Sequence, residues 1–327
     1  MIEILDGGYF SSIQDLGRLG WGQYGIPRSG AMDEFALRAA NRLVGNPDES
    51  AGIEVGLGGI QFRALEKLKI AVCGWGFKVW VNGNGVNLWQ SVYLRKGQIV
   101  RIDHIGNGMW VFVAIEGGID VKPIMGSQST SLIGNFGGWN GRLLKQGDCL
   151  PIGHAPKGSD QVSERILPAS DITQYNDELY LRVVVGPHSG LLGKEVDRRF
   201  FQQTYTVSPS SNRIGYRLQG KPVTVELKRD MISFGMLPGA VQIPPSGEPI
   251  VMMADAPTSG GYPVIAVLIR ADLPLLAQAE PLKSRIRFKP VSVEVAREAY
   301  IELKRRLDKI QEKDQLSEPW NWAGAFQ

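Results

Sequence analysis

The chain has 327 residues, 36 Lys and Arg against 33 Asp and Glu, and a formal net charge of +3. That length supports a sizeable core and, as a prior, two domains, while so small a charge without a Lys/Arg run argues against a nucleic-acid partner. Cys73 and Cys149 give neither a disulfide framework nor a CxxC metal site, and no apolar run approaches the roughly 18 residues of a membrane helix.

The N-terminus, MIEILDGGYF, lacks the basic and apolar regions of a secretory signal. The expectation is a soluble, cytoplasmic, strand-rich protein without membrane contact, its 40 glycines and 19 prolines marking many turns. A first strand is expected over residues 2–5. Residues 11–30 (SSIQDLGRLGWGQYGIPRSG) are broken by glycines and offer Gln14, Asp15 and Arg18 as polar groups. Gly20, Gly22 and Gly25 match G-x-G-x-x-G, but Pro27 intervenes and the helix starts later, so this is no dinucleotide fingerprint. That helix spans 33–44: Asp33 is placed to cap it, Phe35, Ala36, Ala39, Ala40 and Leu43 share one face, and Gly45 ends it.

Residues 52–153 read as short strands and turns. Ile53-Glu54-Val55 alternates, further strands are expected near 68–72, 78–81, 97–102 and 109–115, and Asn82-Gly83 and Asn84-Gly85 are hairpin signals. Their spacing suggests a closed or sandwiched antiparallel sheet. Turn-and-strand phrases recur as LRKGQIVRI at 94–102, LLKQGDCLPI at 143–152 and, more loosely, PLKSRIRF at 281–288, a hint of two related halves. Two glycine loops, EGGID at 116–120 and GSQSTSLIGNFGGWNGR at 126–142, bring Ser127, Ser129, Thr130 and Arg142. Hydroxyl and N–H donors beside an arginine suit a carboxylate or phosphate; a long surface loop is the alternative.

Residues 153–178 are polar and mark a boundary. A strand is expected over 179–185 and a short helix over 196–201. Asn212, Arg213, Tyr216 and Arg217 share one segment and would make an anion clamp, or an exposed hairpin tip. The stretch 239–262 (GAVQIPPSGEPIVMMADAPTSGGY) holds Gln242 and an expected strand at 250–254, then Asp255 and the loop Thr258-Ser259-Gly260-Gly261-Tyr262. A second apolar run at 264–269 leads to Asp272. Glycines there let backbone N–H groups approach a ligand; the alternative is a hairpin in which Asp255 caps a turn. Ala296, Tyr300, Leu303, Leu307 and Ile310 make 293–311 an amphipathic helix that packs on the body or on a partner, followed by Trp320 and Trp322.

No Walker A motif, G-x-S-x-G elbow, HExxH or Met-Lys-Met biotin acceptor is present, and His104, His154 and His188 are scattered, so no metal site is expected.

QDLGRLGWGQYGIPRSGAMD, NRLVGNPDESAGIE, EGGID, GSQST, FGGWNGRLLKQGD, SNRIGYRL and GAVQIPPSGEPIVMMADAPTSGGYP together resemble the allophanate hydrolase subunit 2 or KipA family, described as the C subunit of the bacterial 5-oxoprolinase. The resemblance runs from near residue 10 to near 288. It implies a mainly β fold of two cyclophilin-like β-barrel halves, here 1–153 and 179–290, joined by 154–178 and followed by a helix and tail at 291–327. It also implies partners, a KipI-like B subunit sharing a composite site and an A subunit of the LamB/YcsF type, with ATP and Mg used to open 5-oxo-L-proline to L-glutamate. Relatives in urea carboxylase carry out biotin-dependent carboxyl transfer, and the KipA name suggests a third, purely regulatory role. The expected catalytic residues are Asp255, Arg213 and Tyr262. Arg142, Ser127, Ser129, Thr130, Asn212, Tyr216, Arg217, Gln242, Gly260 and Gly261 are expected to bind substrate or anion, Gly260 and Gly261 through their N–H groups. Two departures bear on specificity. The family's A-D-x-Q-T-T-G-G-Y loop reads Ala254-Asp255-Ala256-Pro257-Thr258-Ser259-Gly260-Gly261-Tyr262, and Gln128 stands where the family has Arg or Cys.

Overall fold

The computed structural model describes residues 1–155, 164–223 and 231–312, so Trp320 and Trp322 lie outside the described residues. The first half runs β1 (Ile2–Gly7), β2 (Phe10–Gln14), α1 (Glu34–Val44), β3 (Gly52–Gly56), β4 (Ile60–Ala64), β5 (Leu68–Gly74), β6 (Phe77–Val81), β7 (Asn84–Val86), β8 (Ser91–Leu94), β9 (Ile99–His104), β10 (Trp110–Ile115) and β11 (Cys149–Leu150). These strands form two sheets, ordered β11-β1-β4-β9-β6-β7 and β2-β3-β10-β5-β8. One core lies between them: Ile2, Ile4, Phe62 and Val100 of the first meet Ile53, Val55, Ile70, Val72, Val111 and Val113 of the second.

The second sheet is covered on its other face as well. Ala71, Cys73, Phe112 and Ala114 alternate with the residues just named and enter a second core, shared with α1 and the other half of the chain. Strands covered on both faces become continuous apolar runs, which is why β10 reads WVFVAI. Helix α1 fills this layer. Asp33 caps it by accepting the Ala36 N–H at 2.9 Å, and Gly45 ends it in the left-handed region. Asn82-Gly83 makes the expected turn, both residues at positive φ. Asn84-Gly85 does not turn. The β6–β7 ladder resumes at once, with Asn84 opposite Val81 and Gly85 opposite Trp80.

The second half runs β12 (Arg165–Ile166), β13 (Glu178–Val185), α2 (Ser189–Leu192), α3 (Lys194–Gln202), β14 (Tyr205–Val207), β15 (Gly215–Gln219), β16 (Phe234–Gly235), β17 (Ala240–Gln242), β18 (Ile250–Met252), β19 (Ser259–Gly260), β20 (Val264–Leu268), α4 (Leu273–Ala277), β21 (Arg285–Pro290), α5 (Val293–Leu307) and β22 (Gln311–Glu312). Seven strands close into a barrel, β13-β20-β17-β18-β15-β14-β21, through the parallel pairing of β13 with β21. Phe200 of α3 stacks on Phe288, ring centroids 4.9 Å apart. The three turn-and-strand phrases are each a turn entering a strand, β9, β11 and β21.

The described part of 154–178 is pressed against the body, with Leu167 and Tyr175 buried. One expectation is corrected at the C-terminal end. The last helix stops at Leu307 rather than 311, because the chain turns to pair Gln311 with Ile166. Leu303, Leu307 and Ile310 pack on the shared core, so this helix covers the body of the protein.

Asp33 ties the layers together. Besides capping α1 it accepts from Tyr175 Oη at 2.8 Å and Gln278 Nε2 at 3.0 Å. Asp33→Ala removes a cap and orphans two buried donors, so a loss of at least about 2 kcal/mol is expected in urea unfolding at unchanged m.

Candidate functional site

On β3, alternation puts Glu54 on the face opposite Ile53 and Val55, beside Ser12 of β2 and Phe112 of β10. In an isolated sheet that face would meet water; here it meets the barrel half. Arg213 precedes β15 and Asp255 follows β18, and the Asp255 N–H donates to the Arg213 carbonyl at 2.8 Å. The guanidinium then reaches three groups. Nε donates to Asp255 Oδ2 at 2.8 Å and Nη2 to its Oδ1 at 3.2 Å. Nη1 donates to Glu54 Oε1, and Nη2 also to the Gly30 carbonyl at 2.7 Å. Glu54 Oε2 accepts from the Met32 N–H at 2.7 Å. All three charged side chains are buried. Burial, only partly offset by Arg213 and the Met32 N–H, pushes the Glu54 carboxyl up to about 7, and the charge of Asp255 adds to the push. For Arg213 burial works against the charge, but Glu54 and Asp255 outweigh it and hold the group above its ordinary value.

The segment from Arg28 to Asp33 is the backbone of this cluster. The Gly30 N–H donates to Gln14 Oε1 at 3.2 Å and the Ala31 N–H to the Asp15 carbonyl at 2.9 Å. Gly30 sits at φ +94, and a Cβ there would lie 2.8 Å from the Gly17 nitrogen, so the approach needs glycine. Next to it, Asp15 organises the GSQST loop. Its Oδ1 accepts from Ser127 Oγ at 2.7 Å, Ser129 Oγ at 2.5 Å and the Gly17 N–H at 2.7 Å, and its Oδ2 from the Gln128 N–H at 2.5 Å. Arg18 closes the group, donating from Nη2 to the Ser129 carbonyl at 2.5 Å, with its guanidinium 4.8 Å from the centre of the Phe136 ring. The arrangement presents a carboxylate, Asp255, locked in place by a two-point arginine contact at the junction of two halves. A larger cleft of about 190 Å³ opens elsewhere at the junction, between Trp75, Tyr175 and Glu280. None of the sequence-expected site residues lines it, so the cluster is taken as the site.

Residues 24–290 match the family model for the carboxyltransferase domain, subdomain A and B. The chain belongs to that family. It is 37% identical over 310 residues to the C subunit of 5-oxoprolinase from Escherichia coli (strain K12), covering 95% of this chain and 97% of that protein. The corresponding C subunit from Haemophilus influenzae is 35% identical, over 90% of this chain and 93% of that one. Among solved structures, the urea amidolyase of K. lactis superposes with a TM-score of 0.88 at 30% identity, over 97% of this chain but only 20% of that enzyme.

Within this carboxyltransferase domain the sequence-expected residues separate into three groups. Arg213 and Asp255 meet in the central cluster, and Ser127 and Ser129 face Asp15 beside it. Thr130 Oγ1 donates to the Ile13 carbonyl at 3.0 Å and holds the loop to β2. Gln242, Tyr216 and Asn212 do structural work. Gln242 Nε2 donates to the Tyr262 carbonyl at 3.1 Å; Tyr216 Oη donates to the Ala277 carbonyl at 2.8 Å and accepts from Trp110; Asn212 Oδ1 accepts from the Ile214 N–H at 2.9 Å.

The anion clamp is corrected. Arg213 is buried, whereas Arg217 is exposed on β15 next to inward-facing Tyr216 and Leu218. Arg142 is held by Asp148 through two contacts of 2.7 Å, so its charge is already matched. Gly260 pairs with Phe234 in the β16–β19 ribbon, Gly261 is exposed, and the Tyr262 ring is 45% exposed. Gln128 is explained too: its side-chain amide donates to the Ile119 and Val121 carbonyls, tying the loop to EGGID.

Sequence reasoning missed Glu54, and it noted Gln14, Asp15 and Arg18 only as polar groups. The signal was the unbroken apolar run of β10, which says that both faces of the neighbouring sheet are covered and that a carboxylate on β3 is therefore buried.

The raised Glu54 value gives a pH test. A carboxyl that titrates near 7 when folded and near 4.5 when unfolded stabilises fully below the unfolded value and progressively less as pH rises to the folded one. Glu54→Gln is therefore expected to remove a fall in stability between roughly pH 5 and 7.5 seen by urea unfolding of the parent; an identical slope in both proteins would contradict the assignment.

Proposed function

We propose that this chain is the C subunit of an ATP-dependent 5-oxoprolinase that opens 5-oxo-L-proline to L-glutamate together with a KipI-like B subunit plus an A subunit of the LamB/YcsF type. The observation that carries this reading is coverage. The likeness to the 5-oxoprolinase C subunit extends over 97% of that protein, whereas the urea amidolyase likeness is to one fifth of a larger enzyme.

In this reading Asp255 is the residue that meets the substrate. Its carboxylate keeps lone pairs beyond the two taken by Arg213, and it accepts the ring N–H of the lactam. Arg213 is a positioning residue, and Glu54 and Gly30 position Arg213 in turn. The residues do not fit a nucleotide: of the three arginines expected to hold phosphate, Arg142 and Arg213 are paired with acids and Arg217 points outward. ATP is accordingly assigned to the partner proteins, and no step on this chain runs through it. Biotin-dependent carboxyl transfer is the second reading, favoured by the TM-score of 0.88 to urea amidolyase; avidin sensitivity and bicarbonate dependence distinguish it.

The test is ATP hydrolysis and glutamate release by the reconstituted three-protein complex, with and without 5-oxoproline. Asp255→Asn is expected to lower stimulated turnover by at least about a hundredfold when assayed well below its melting temperature, which itself falls because Arg213 loses a charged partner. Unaltered turnover in that variant removes Asp255 from the chemistry, and stimulation by bicarbonate rather than 5-oxoproline replaces the first reading with the second.

A further inference from the structure

Arg213 pairs with Glu54 and Asp255. Two other buried charges beside it have no counter-charge in contact: Asp15, whose oxygens are filled by hydroxyl and backbone N–H donors, and Arg18. Only Arg18 is left with an unfilled edge. It is 2% exposed, yet among the described residues no carboxylate lies within ion-pair distance of it. Its hydrogen bonds run to backbone carbonyls, Nη2 to Ser129 at 2.5 Å and Nε to Ile124 at 3.4 Å, and among the described residues Nη1 has no hydrogen-bond partner. A buried guanidinium with an unfilled N–H edge and no counter-ion in contact is a costly arrangement. Structural needs do not account for it, since a neutral donor would serve two carbonyls equally well.

We infer that Arg18 is the seat for a carboxylate of the substrate, its free Nη1 edge supplying the charge-assisted donor that no other cation of the site has left to give. The inference rests on the lactam reading above and names the group by which the substrate is selected. Burial outweighs the charges of Asp15 and Asp255 and brings the guanidinium below its ordinary value; the seat adjoins the cluster through Asp15, whose carbonyl holds Ala31 beside the Gly30 carbonyl that binds Arg213. Asp15 cannot serve as the missing counter-ion by moving, because its two oxygens are held by Ser127, Ser129, Gly17 and Gln128. Phe136 covers the guanidinium and keeps the site dry, which strengthens a charged contact there. Access is through the loop from Leu19 to Pro27, which Arg18 opens and which is closed by the Arg18 N–H on the Arg28 carbonyl at 2.8 Å. Leu19, Trp21 and Tyr24 are exposed on it, and Cβ atoms added at Gly20, Gly22 or Gly25 would touch nothing. A loop so lightly packed can lift without breaking core contacts. Arg18 is thus read as a substrate-binding residue that sets specificity for a lactam carrying a carboxylate.

The experiment compares 5-oxoproline with 2-pyrrolidinone, the same ring without the carboxylate, in the three-protein complex containing wild type, Arg18→Met, Arg18→Gln or Arg18→Lys. Wild type is expected to favour 5-oxoproline in kcat/KM. Arg18→Met and Arg18→Gln are expected to lose about tenfold or more in kcat/KM for 5-oxoproline, mainly through KM, with little change for 2-pyrrolidinone, and Arg18→Lys to keep part of the preference. If Arg18→Met fails to fold, Arg18→Gln, which keeps a donor for the backbone carbonyls, carries the comparison. An equal loss for both lactams, or a preference unchanged in the neutral variants, overturns the inference. Thermal shift of the same proteins decides it without turnover. Stabilisation by 5-oxoproline but not 2-pyrrolidinone that disappears in Arg18→Gln supports the seat; equal stabilisation of wild type and Arg18→Gln, or of neither, rejects it. A complex that turns over neither lactam while the selective shift is present counts against the proposed reaction and leaves the seat standing.

Discussion

Arg213 carries a positive charge into the junction between the two halves, where desolvation would weigh several kcal/mol against it if it stood alone. It is tolerated because each of its nitrogens has an acceptor. Asp255 takes Nε and Nη2, Glu54 takes Nη1, and the Gly30 carbonyl takes Nη2. Those acceptors come from three separate stretches of chain, and only the assembled fold brings them together. Removing any one leaves a buried charge with an open side, a far larger penalty than a surface pair would show. Asp255 is thus held by Arg213 within its own half, and the docking of the halves fixes Arg213 through Glu54 and Gly30.

The segment Arg28 to Asp33 is shaped by the same constraint. Its backbone gives one carbonyl to Arg213, two N–H groups to Gln14 and Asp15, and one to Glu54, and its last residue caps α1 while holding Tyr175 and Gln278. Barrel, sandwich and helix therefore share a single strip of chain. The second core, which runs from α1 and one face of the β2-β3-β10-β5-β8 sheet into the barrel interior, makes the junction as dry as a domain interior. That dryness is what raises Glu54 and what leaves the unpaired edge of Arg18 so conspicuous. The charges of the site are arranged by polarity and by depth, with matched groups in the centre and the unmatched cation at the side where the glycine loop begins.

Local features were legible in the sequence because local forces make them. Asp33 and Gly45 bound α1 through bonds to residues within five positions, and Asn82-Gly83 turns through its own φ preferences. Arg213 and Asp255 were picked out by type and motif, but their relation was not: an arginine beside a loop of donors reads as an anion clamp unless its acid partners are known. Glu54 lies 159 residues from Arg213, and nothing near Glu54 announces that a barrel will cover its face. Arg142 was misread although Asp148 is six residues away, since a turn that brings them together has no stronger signature than one that does not. The end of α5 was overrun because its apolar periodicity continues to Ile310, while the chain is redirected by a strand pairing with Arg165 and Ile166 that periodicity cannot register.

Glu54 and Asp255 act on one another through Arg213 to hold the halves in register. A double-mutant cycle with Glu54→Gln, Asp255→Asn and the pair, read by urea unfolding at constant pH, tests it most directly. A coupling of about 1 kcal/mol or more is expected, because either single change leaves Arg213 partly unmatched and the second change acts on an already altered charge. Additive losses, within a few tenths of a kcal/mol, would show that the two carboxylates stabilise the fold independently and that the junction is not organised around Arg213.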